Sequence, residues 1–205
     1  MKRVFFKRVA ITAIAVIMSV AVNAQQGKLG VSPVVDFSIP LNRTFTSTIE
    51  SQTIEYKTSM FHYGIGAKVQ YNVIDPLRLE GSFVFLLASK NLGSGWSTTG
   101  SIFSFGTDIS VNAHYLIKLG ESVSSNSAYV YPLAGVTFCK TSDRLIASLV
   151  NEKLGERKGT GLNLGCGFES HLKERIKTFS ELKFSIIGNE MSKVTLSFGV
   201  TFLFN

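Results

Sequence analysis

The stretch from Tyr63 to Phe85 constrains the fold most, because it contains two alternating runs joined by a short turn. In the first run, apolar residues at odd positions alternate with glycine and polar residues as far as Asn72. In the second, apolar residues and one glycine alternate with arginine, glutamate and serine. Successive side chains of a β-strand point to opposite faces, so this pattern predicts a β-hairpin with one apolar face. The segment 74–76, Ile-Asp-Pro, forms its turn.

Alternating runs of the same kind recur along the rest of the chain, separated by segments rich in glycine, serine or charge. No segment after residue 24 has a convincing helical period. The runs predict eight β-strands, at about residues 28–39, 59–73, 77–89, 101–117, 127–139, 159–171, 177–187 and 192–204.

The first and fifth predicted strands are less regular than the others. Pro33 and Pro132 each lack the backbone donor that a central strand uses. In the fifth strand, Tyr129 and Tyr131 compete with the neighbouring valines for the apolar face. Which face of this strand points outward therefore stays open.

The first 24 residues have the pattern of a secretory signal peptide. Four basic residues precede the apolar segment 9–22, which ends in the small-residue cleavage site Val22-Asn23-Ala24. This apolar segment is shorter than the roughly 20 residues that a transmembrane helix needs. We therefore predict a signal peptide over residues 1–24, cleaved between Ala24 and Gln25, and a mature domain over residues 25–205.

The basic charge of the chain belongs largely to this signal. The whole sequence has 21 Lys and Arg against 14 Asp and Glu, and four of the basic residues lie in the signal, which leaves 21 − 4 = 17 and a net charge of 17 − 14 = +3. No basic stripe is interleaved with aromatic residues. We expect no nucleic-acid partner.

The apolar faces of the predicted strands are too bulky to face inward. They are rich in Phe, Leu and Tyr, whereas the opposite faces are rich in Gly, Ser and Thr. Eight strands enclose an interior just wide enough for side chains, so eight apolar faces would overfill it. Short turns at one end and long loops at the other are typical of membrane barrels. The sequence thus predicts an all-β fold, an eight-stranded antiparallel up-and-down transmembrane β-barrel, with the turn 74–76 at its periplasmic end.

The inward faces then carry charges of both signs. Charges in a narrow lumen must pair, because removing one partner of a buried pair costs roughly 3–5 kcal/mol. We expect Arg78 or Lys68 to pair across the lumen with Glu80, Glu169 or Glu181, in a salt-bridged plug; an ion path or gate is the alternative. The predicted lumen network is Asp36, Lys68, Arg78, Glu80, Asp108, His114, Glu169, Glu181 and Lys183.

Aromatic residues are expected at both membrane interfaces, as in other membrane barrels. With the amino terminus on the periplasmic side, one group falls near the periplasmic rim and another near the outer rim. The predicted periplasmic group is Tyr71, Tyr115, Phe202 and Phe204, and the predicted outer group is Phe85 and Phe103.

Four phrases of the sequence, GIGAKVQYNVIDPLRLEGSF, DISVNAHYLIKLG, YVYPLAGVTF and GLNLGCGFE, resemble the small porin-like outer-membrane β-barrel family, of the OmpA type. The resemblance covers nearly all of residues 28–204. It implies an outer-membrane location in a Gram-negative bacterium, contact with outer-membrane lipid, and insertion by the barrel-assembly machinery. Such barrels often end in an aromatic residue; here Phe204 is followed by Asn205.

The sequence offers little for catalysis. Its three histidines, His62, His114 and His171, fall on different predicted strands without metal-ligand spacing. We expect no enzymatic activity, no cofactor and no metal site. One remote alternative is a lipid-modifying enzyme in which His62 activates Ser101 or Ser104 near the outer leaflet.

The most consistent interpretation is a monomeric barrel with a structural or surface-interaction role and a largely plugged lumen. A narrow porin-like channel is one alternative, and adhesin-like binding of a surface ligand through the first loop, residues 41–57, and Trp96 is another. Cys166 falls on an apolar face and Cys139 where the fifth strand is predicted to end. Two thiols are expected here rather than a disulfide, although an exported protein could form one.

Overall fold

A computed structural model describes residues 29–41, 44–49, 52–57, 60–92, 100–119, 127–147, 150–188 and 191–204. The predicted signal peptide with Ala24 and Gln25, and also Trp96 and Asn205, lie outside the described residues. The strands are β1 (Leu29–Pro40), β2 (Thr44–Ile49), β3 (Gln52–Lys57), β4 (His62–Ile74), β5 (Leu77–Leu92), β6 (Gly100–Tyr115), β7 (Ile117–Leu119), β8 (Ala128–Ala147), β9 (Val150–Lys173), β10 (Ile176–Ile187) and β11 (Lys193–Phe204).

Eight long strands close into an antiparallel barrel. The sheet order is β6-β5-β4-β1-β11-β10-β9-β8-β7, and the additional pairing of β6 with β8 joins its two ends. The short strand β7 continues β6 after a break at Leu116 and pairs with β8. Among the described residues, no helix is long and apolar enough to cross a membrane. The predicted eight-stranded up-and-down barrel is confirmed.

Half of the barrel wall extends beyond the other half at the outer end. The neighbouring strands β10, β11, β1 and β4 have 12, 12, 12 and 13 residues, whereas β5, β6, β8 and β9 have 16, 16, 20 and 24. The prediction that the fifth strand ends at residue 139 and the sixth begins at residue 159 is therefore wrong, because β8 and β9 remain paired from Lys140–Lys158 to Ala147–Val150. Outside the membrane no lipid selects for apolar side chains, so this part of the hairpin lacks the alternation that marks the other strands.

The first loop also contains strand structure that the sequence did not predict. Strands β2 and β3 form a separate antiparallel hairpin, with Thr44 opposite Lys57. Its Thr and charged residues alternate with a second set that includes Phe45, Ile49, Ile54 and Tyr56, and the register places Phe45 opposite Tyr56. Each strand has only six residues, so this alternation is too short to have distinguished a strand from a Thr- and Ser-rich loop.

One irregularity marks the extended hairpin. The register of β8 and β9 shifts between Asp143 and Arg144, whose partners are Gly155 and Lys153, so Leu154 is an extra residue on β9. Gly155 has a φ angle of +155°, a conformation that residues with a side chain rarely adopt. A glycine is therefore well suited to this bulge.

The barrel reverses the usual distribution of polarity. Outward apolar side chains are widely exposed: Ile65 is 68% exposed and Leu182 is 50% exposed, whereas the inward Lys68 is 1% exposed. In β8, the strand whose orientation the sequence left open, Tyr131 points inward and is buried, and Pro132 points outward. The wall thus presents a continuous apolar surface around a polar filling, as a lipid solvent requires.

Two large aromatic side chains fit inside this lumen because glycines face them. A Cβ atom at Gly167 would overlap the ring of Tyr131, and one at Gly199 would overlap the ring of Phe179. Both aromatic residues are buried. These glycines therefore provide the space that two inward rings need in a narrow barrel.

Candidate functional site

The candidate site is the filled lumen. All nine residues predicted for the lumen network lie on inward faces and are buried. They come from β1, β4, β5, β6, β9 and β10, so the closure of the barrel, rather than proximity in sequence, brings them together. Their side chains form three groups along the barrel axis.

The group nearest the periplasm is centred on one carboxylate. Glu169 on β9 forms an ion pair with Arg78 on β5 through Oε2, and its Oε1 is 3.0 Å from Nζ of Lys177 on β10. These side chains span the lumen from β5 to β10. Each oxygen of the carboxylate accepts a charge-assisted hydrogen bond, which is what burial of a carboxylate requires.

The middle group is centred on an ammonium. Lys68 on β4 pairs with Glu181 on β10, and its Nζ is 3.3 Å from Oε1 of Glu80 on β5. Tyr131 donates a hydrogen bond of 2.9 Å to the other oxygen of Glu181. Gln70 and Asn112 each donate to Glu80 at 3.3 Å. The structure thus gives Lys68 and Arg78 carboxylate partners from the set expected for them.

A stacked arrangement connects these two groups. The ring of His114 lies parallel to that of Tyr131, with centroids 4.7 Å apart and an interplanar angle of 10°. The guanidinium of Arg78 lies 4.8 Å from the Tyr131 ring and donates to Nδ1 of His114 at 3.0 Å. Because Nδ1 accepts from a guanidinium that cannot lose its proton, the neutral imidazole carries its proton on Nε2. The stack thus adds two rings to the charged groups in this part of the lumen.

Glu80, His114 and Glu181 also have the arrangement of metal ligands, with donor atoms within 4.8 Å of one another. The ammonium of Lys68, however, contacts both of these carboxylates. It supplies the positive charge that a cation would supply at this position. We therefore interpret the group as an ion-pair network centred on lysine.

The outer group is less completely hydrogen-bonded than the middle one. Lys193 on β11 pairs with Asp108 on β6, and Ser185 donates to Asn163 at 2.8 Å, which in turn donates to Asn112 at 3.0 Å. Oδ1 of Asp36 and Oδ1 of Asp108 accept no hydrogen bond from the described part of the chain. Lys183 is also buried at this level.

Sequence reasoning missed several members of the network. Lys177 shares the alternation of Glu181 and Lys183, and Lys193 that of Thr195, so the signal for these two lysines was present. Tyr131 could not be assigned because both faces of its strand carry aromatic or branched residues. The amides and the hydroxyl that complete the network gave no charge signal. The missed residues are Gln70, Asn112, Tyr131, Asn163, Lys177, Ser185 and Lys193.

The predicted aromatic residues lie on outward faces. Tyr71, Tyr115, Phe202 and Phe204 are near the periplasmic ends of β4, β6 and β11, because Leu29 pairs with both Tyr71 and Phe204 and Leu77 pairs with Tyr115. Phe85 and Phe103 lie further towards the outer end of β5 and β6. The sequence did not single out a cluster of aromatic rings at the outer end, with centroids 5.1–6.2 Å apart, formed by Phe37, Phe61, Tyr63 and Phe198.

The structure brings together the histidine and one serine of the remote enzyme alternative. Nε2 of His62 is 3.3 Å from Oγ of Ser104. Both side chains are buried on inward faces. The pair therefore lies on the lumen side of the wall and not on its lipid-facing surface.

The cysteines are not joined by a disulfide. Cys166 is exposed on the outward face of β9, whereas Cys139 is buried and points inward from β8. The expectation that Cys139 ends a strand is wrong, because β8 continues to Ala147. Side chains on opposite faces of the wall cannot be bridged without moving the backbone.

The extended β8–β9 hairpin carries a second set of ion pairs, outside the membrane. Oε1 of Glu156 is 2.9 Å from Nζ of Lys158 and 3.4 Å from Nζ of Lys140. The hydrogen bond from Lys158 is the main reason that the pKa of Glu156 is below its ordinary value. Residues 140–158 contain five basic and three acidic residues, a net charge of 5 − 3 = +2.

At the opposite end, a cavity of about 760 Å³ opens at the periplasmic mouth. It is lined by turn residues from Asp75 and Pro76, by Tyr129 and His171, and at its inner side by Glu169 and Lys177. The ion pairs of Glu169 therefore lie between this cavity and the middle of the lumen.

Solved structures with the same architecture are outer-membrane proteins. OprG from Pseudomonas aeruginosa has a TM-score of 0.57 and 10% sequence identity, over 87% of this chain and 96% of that one. Ail, the attachment invasion locus protein of Yersinia pestis, solved with the heparin analogue sucrose octasulfate, has a TM-score of 0.51 and 16% identity, over 88% and 100%. The chain has the fold of a small outer-membrane β-barrel. Neither a protein-family model nor a curated protein matches the sequence.

This fold and the exposed apolar wall locate the protein in the outer membrane. The outward Phe, Leu, Ile and Val side chains form a continuous apolar belt. Exposure of such a belt to water would be unfavourable for a monomer, since the largest apolar patch of a soluble protein is about 300–600 Å². Lipid is therefore the solvent of this surface.

Proposed function

We propose that this outer-membrane barrel is a rigid, non-conducting scaffold that presents its outer hairpins for interaction at the cell surface. The observation that carries the proposal is the lumen network, in which Lys68, Arg78 and Lys177 are all held by carboxylates from other strands. Because the same side chains fill the cross-section and neutralise one another, the lumen serves stability rather than transport. A closed sheet leaves no unpaired edge, which favours a monomer. The likeness to outer-membrane barrels supports insertion by the barrel-assembly machinery of a Gram-negative bacterium.

Planar-bilayer recording tests the closed lumen. The wild-type barrel should show no large, stable conductance. A narrow porin-like channel is the competing function, favoured by the periplasmic cavity and by the two carboxylate oxygens of the outer group that accept no hydrogen bond from the described residues. Stable conductance of the wild-type protein that changes in lumen variants but persists in outer-hairpin variants would support the channel and contradict the scaffold.

The surface role rests on the extended hairpin. Strands β8 and β9 extend beyond β10 and carry a net charge of +2 over residues 140–158, and Ile146 near the tip is 44% exposed. A polyanionic ligand is the partner that fits this charge. Ail, which has the same fold, binds a sulfated heparin analogue, and this supports testing such a ligand first.

Binding of sucrose octasulfate to the purified barrel in detergent, measured by calorimetry at low salt, tests this role. Arg144→Glu on the hairpin should weaken binding, because one exposed charge contributes about 0.2–1 kcal/mol and reversal removes an attraction and adds a repulsion. The matched control is Lys173→Glu, an exposed lysine at the periplasmic end of β9. Equal losses in the two variants would reveal only non-specific attraction and contradict the hairpin as the binding surface.

A further inference from the structure

Three side chains that bind soft metals line one small cavity at the outer end of the lumen. Cys139 points inward from β8, His62 begins β4, and Met191 lies in the turn between β10 and β11. All three are buried, with exposures of 5–8%. The cavity has a volume of about 30 Å³. A space of this size holds one ion or one water molecule.

The two sulfur atoms already have the separation of a ligand pair. Sγ of Cys139 is 3.9 Å from Sδ of Met191. Two sulfur ligands at about 2.3 Å from a metal are about 3.8–4.0 Å apart when the angle at the metal lies between tetrahedral and trigonal. The thiolate and the thioether could therefore bind one ion without movement of the backbone. The imidazole of His62 lines the same cavity and offers a third donor.

The ligand set and the surrounding charge select the kind of metal. Thiolate, thioether and imidazole together favour a soft ion such as Cu(I) over Mg²⁺ or Ca²⁺, which prefer oxygen. The thiolate neutralises a monovalent ion completely, whereas a divalent ion would leave one positive charge buried. Lys193 also lines the cavity, and its ammonium is already paired with Asp108. An uncompensated positive charge beside this ion pair would be costly.

We propose that Cys139, Met191 and His62 form a binding site for a soft monovalent cation, Cu⁺ or Ag⁺. On binding, the S–H bond of Cys139 breaks, its proton leaves to solvent, and a metal–sulfur bond forms; no oxidation state changes. The site is independent of the surface role, since it lies inside the barrel beneath the β10–β11 turn. Its place at the outer mouth gives the protein a means of capturing such ions at the cell surface.

Titration of the folded barrel with Ag⁺ in detergent, followed by calorimetry, tests the site. The parent is Cys166→Ser, which removes the thiol on the outward face. It should bind one Ag⁺ per chain, and Cys139→Ser should abolish this binding. Met191→Leu keeps the side-chain volume but removes the second sulfur. It should weaken the affinity by at least about tenfold, since even changes around a metal ligand cost 10–100-fold. Met60→Leu, at a buried thioether that does not line the cavity, should leave the affinity unchanged.

Three outcomes would overturn the proposal. An unchanged affinity in Met191→Leu would mean that a thiol alone reacts with silver. Absence of binding, even when Ag⁺ is present while the barrel refolds, would mean that the cavity is only a packing contact. Displacement of Ag⁺ by equimolar Zn²⁺ would contradict a monovalent site. Heat-dependent gel mobility of each variant establishes that the barrel is folded before titration.

Discussion

Two ion pairs of this barrel have nearly the same length in opposite surroundings. In the lumen, Nζ of Lys68 is 3.3 Å from Glu80, and the two side chains are 1% and 0% exposed. On the outer hairpin, Nζ of Lys140 is 3.4 Å from Glu156, and the two side chains are 52% and 31% exposed. Distance alone would rank these pairs as equals. What differs is the solvent that each group meets when its partner is removed.

That difference sets the energetic consequence of losing a partner. An exposed charge regains water, and such pairs contribute about 0–1 kcal/mol. A buried charge that loses its partner stays out of water, and the loss costs about 3–5 kcal/mol. The lumen network thus specifies one arrangement of the barrel, because each alternative packing would leave a buried charge without its counterion. The hairpin ion pairs impose no such restriction, because each charged group regains water when its partner is lost.

The largest expected effect is that of Lys68→Met, which leaves Glu80 and Glu181 buried without the cation between them. We expect the free energy of unfolding to fall by about 3–5 kcal/mol. Urea titration of the barrel in lipid vesicles, with both folding directions followed, measures it. The matched control is Lys140→Met on the hairpin, which should change little. A loss of similar size in both variants would show that burial does not separate the two pairs.

The next effect tests the outer surface of the same wall. Leu182 is outward and half-exposed in the middle of β10, paired with Cys166 and Leu196. Leu182→Lys should lower the free energy of unfolding by about 2–4 kcal/mol, because a lysine at the bilayer midplane loses its hydration. Leu172→Lys, on the same face near the periplasmic turn, should cost only about 0–1 kcal/mol.

Urea titration in lipid vesicles measures both lysine variants. A dependence on depth would show that lipid, and not a protein partner, covers this face. Equal costs at Leu182 and Leu172 would contradict the placement of the membrane along β9 and β10.

A third effect comes from space in the lumen rather than charge. Gly167→Ala would place a Cβ atom against the Tyr131 ring, which holds Glu181 and stacks on His114. Overpacking of this kind costs about 1–3 kcal/mol. Gly81→Ala is the control, since nothing lies within 4 Å of a Cβ atom at that outward position. Thermal unfolding of the two variants compares them. If Gly167→Ala were as stable as the wild type, the Tyr131 ring would not be held where the structure places it.

The sequence predicted the part of the barrel that lies within the membrane. Within the membrane, every second residue must be apolar, so alternation identified β4, β5 and β6 and the inward position of Lys68 and Glu181. The paired part of β8 and β9 beyond β10 was missed, because strand residues exposed to water need not alternate between apolar and polar. Which carboxylate each cation contacts could not be read from one strand, because the pairs join strands that are distant in sequence: Lys68 with Glu181, and Arg78 with Glu169.

The smallest expected effect is that of Glu156→Gln on the outer hairpin. The hydrogen bond from Lys158 lowers the pKa of Glu156 in the folded protein. Its contribution to stability is therefore present above the unfolded pKa of about 4.3 and is lost as the pH falls through the lower folded value. Since the carboxylate is open to solvent, water largely replaces its partners. We expect wild type and Glu156→Gln to unfold at the same urea concentration, within error, at pH 7 and at pH 3. A loss at pH 7 as large as that of Lys68→Met would mean that the hairpin ion pairs are shielded from water, and the contrast between lumen and surface would fail.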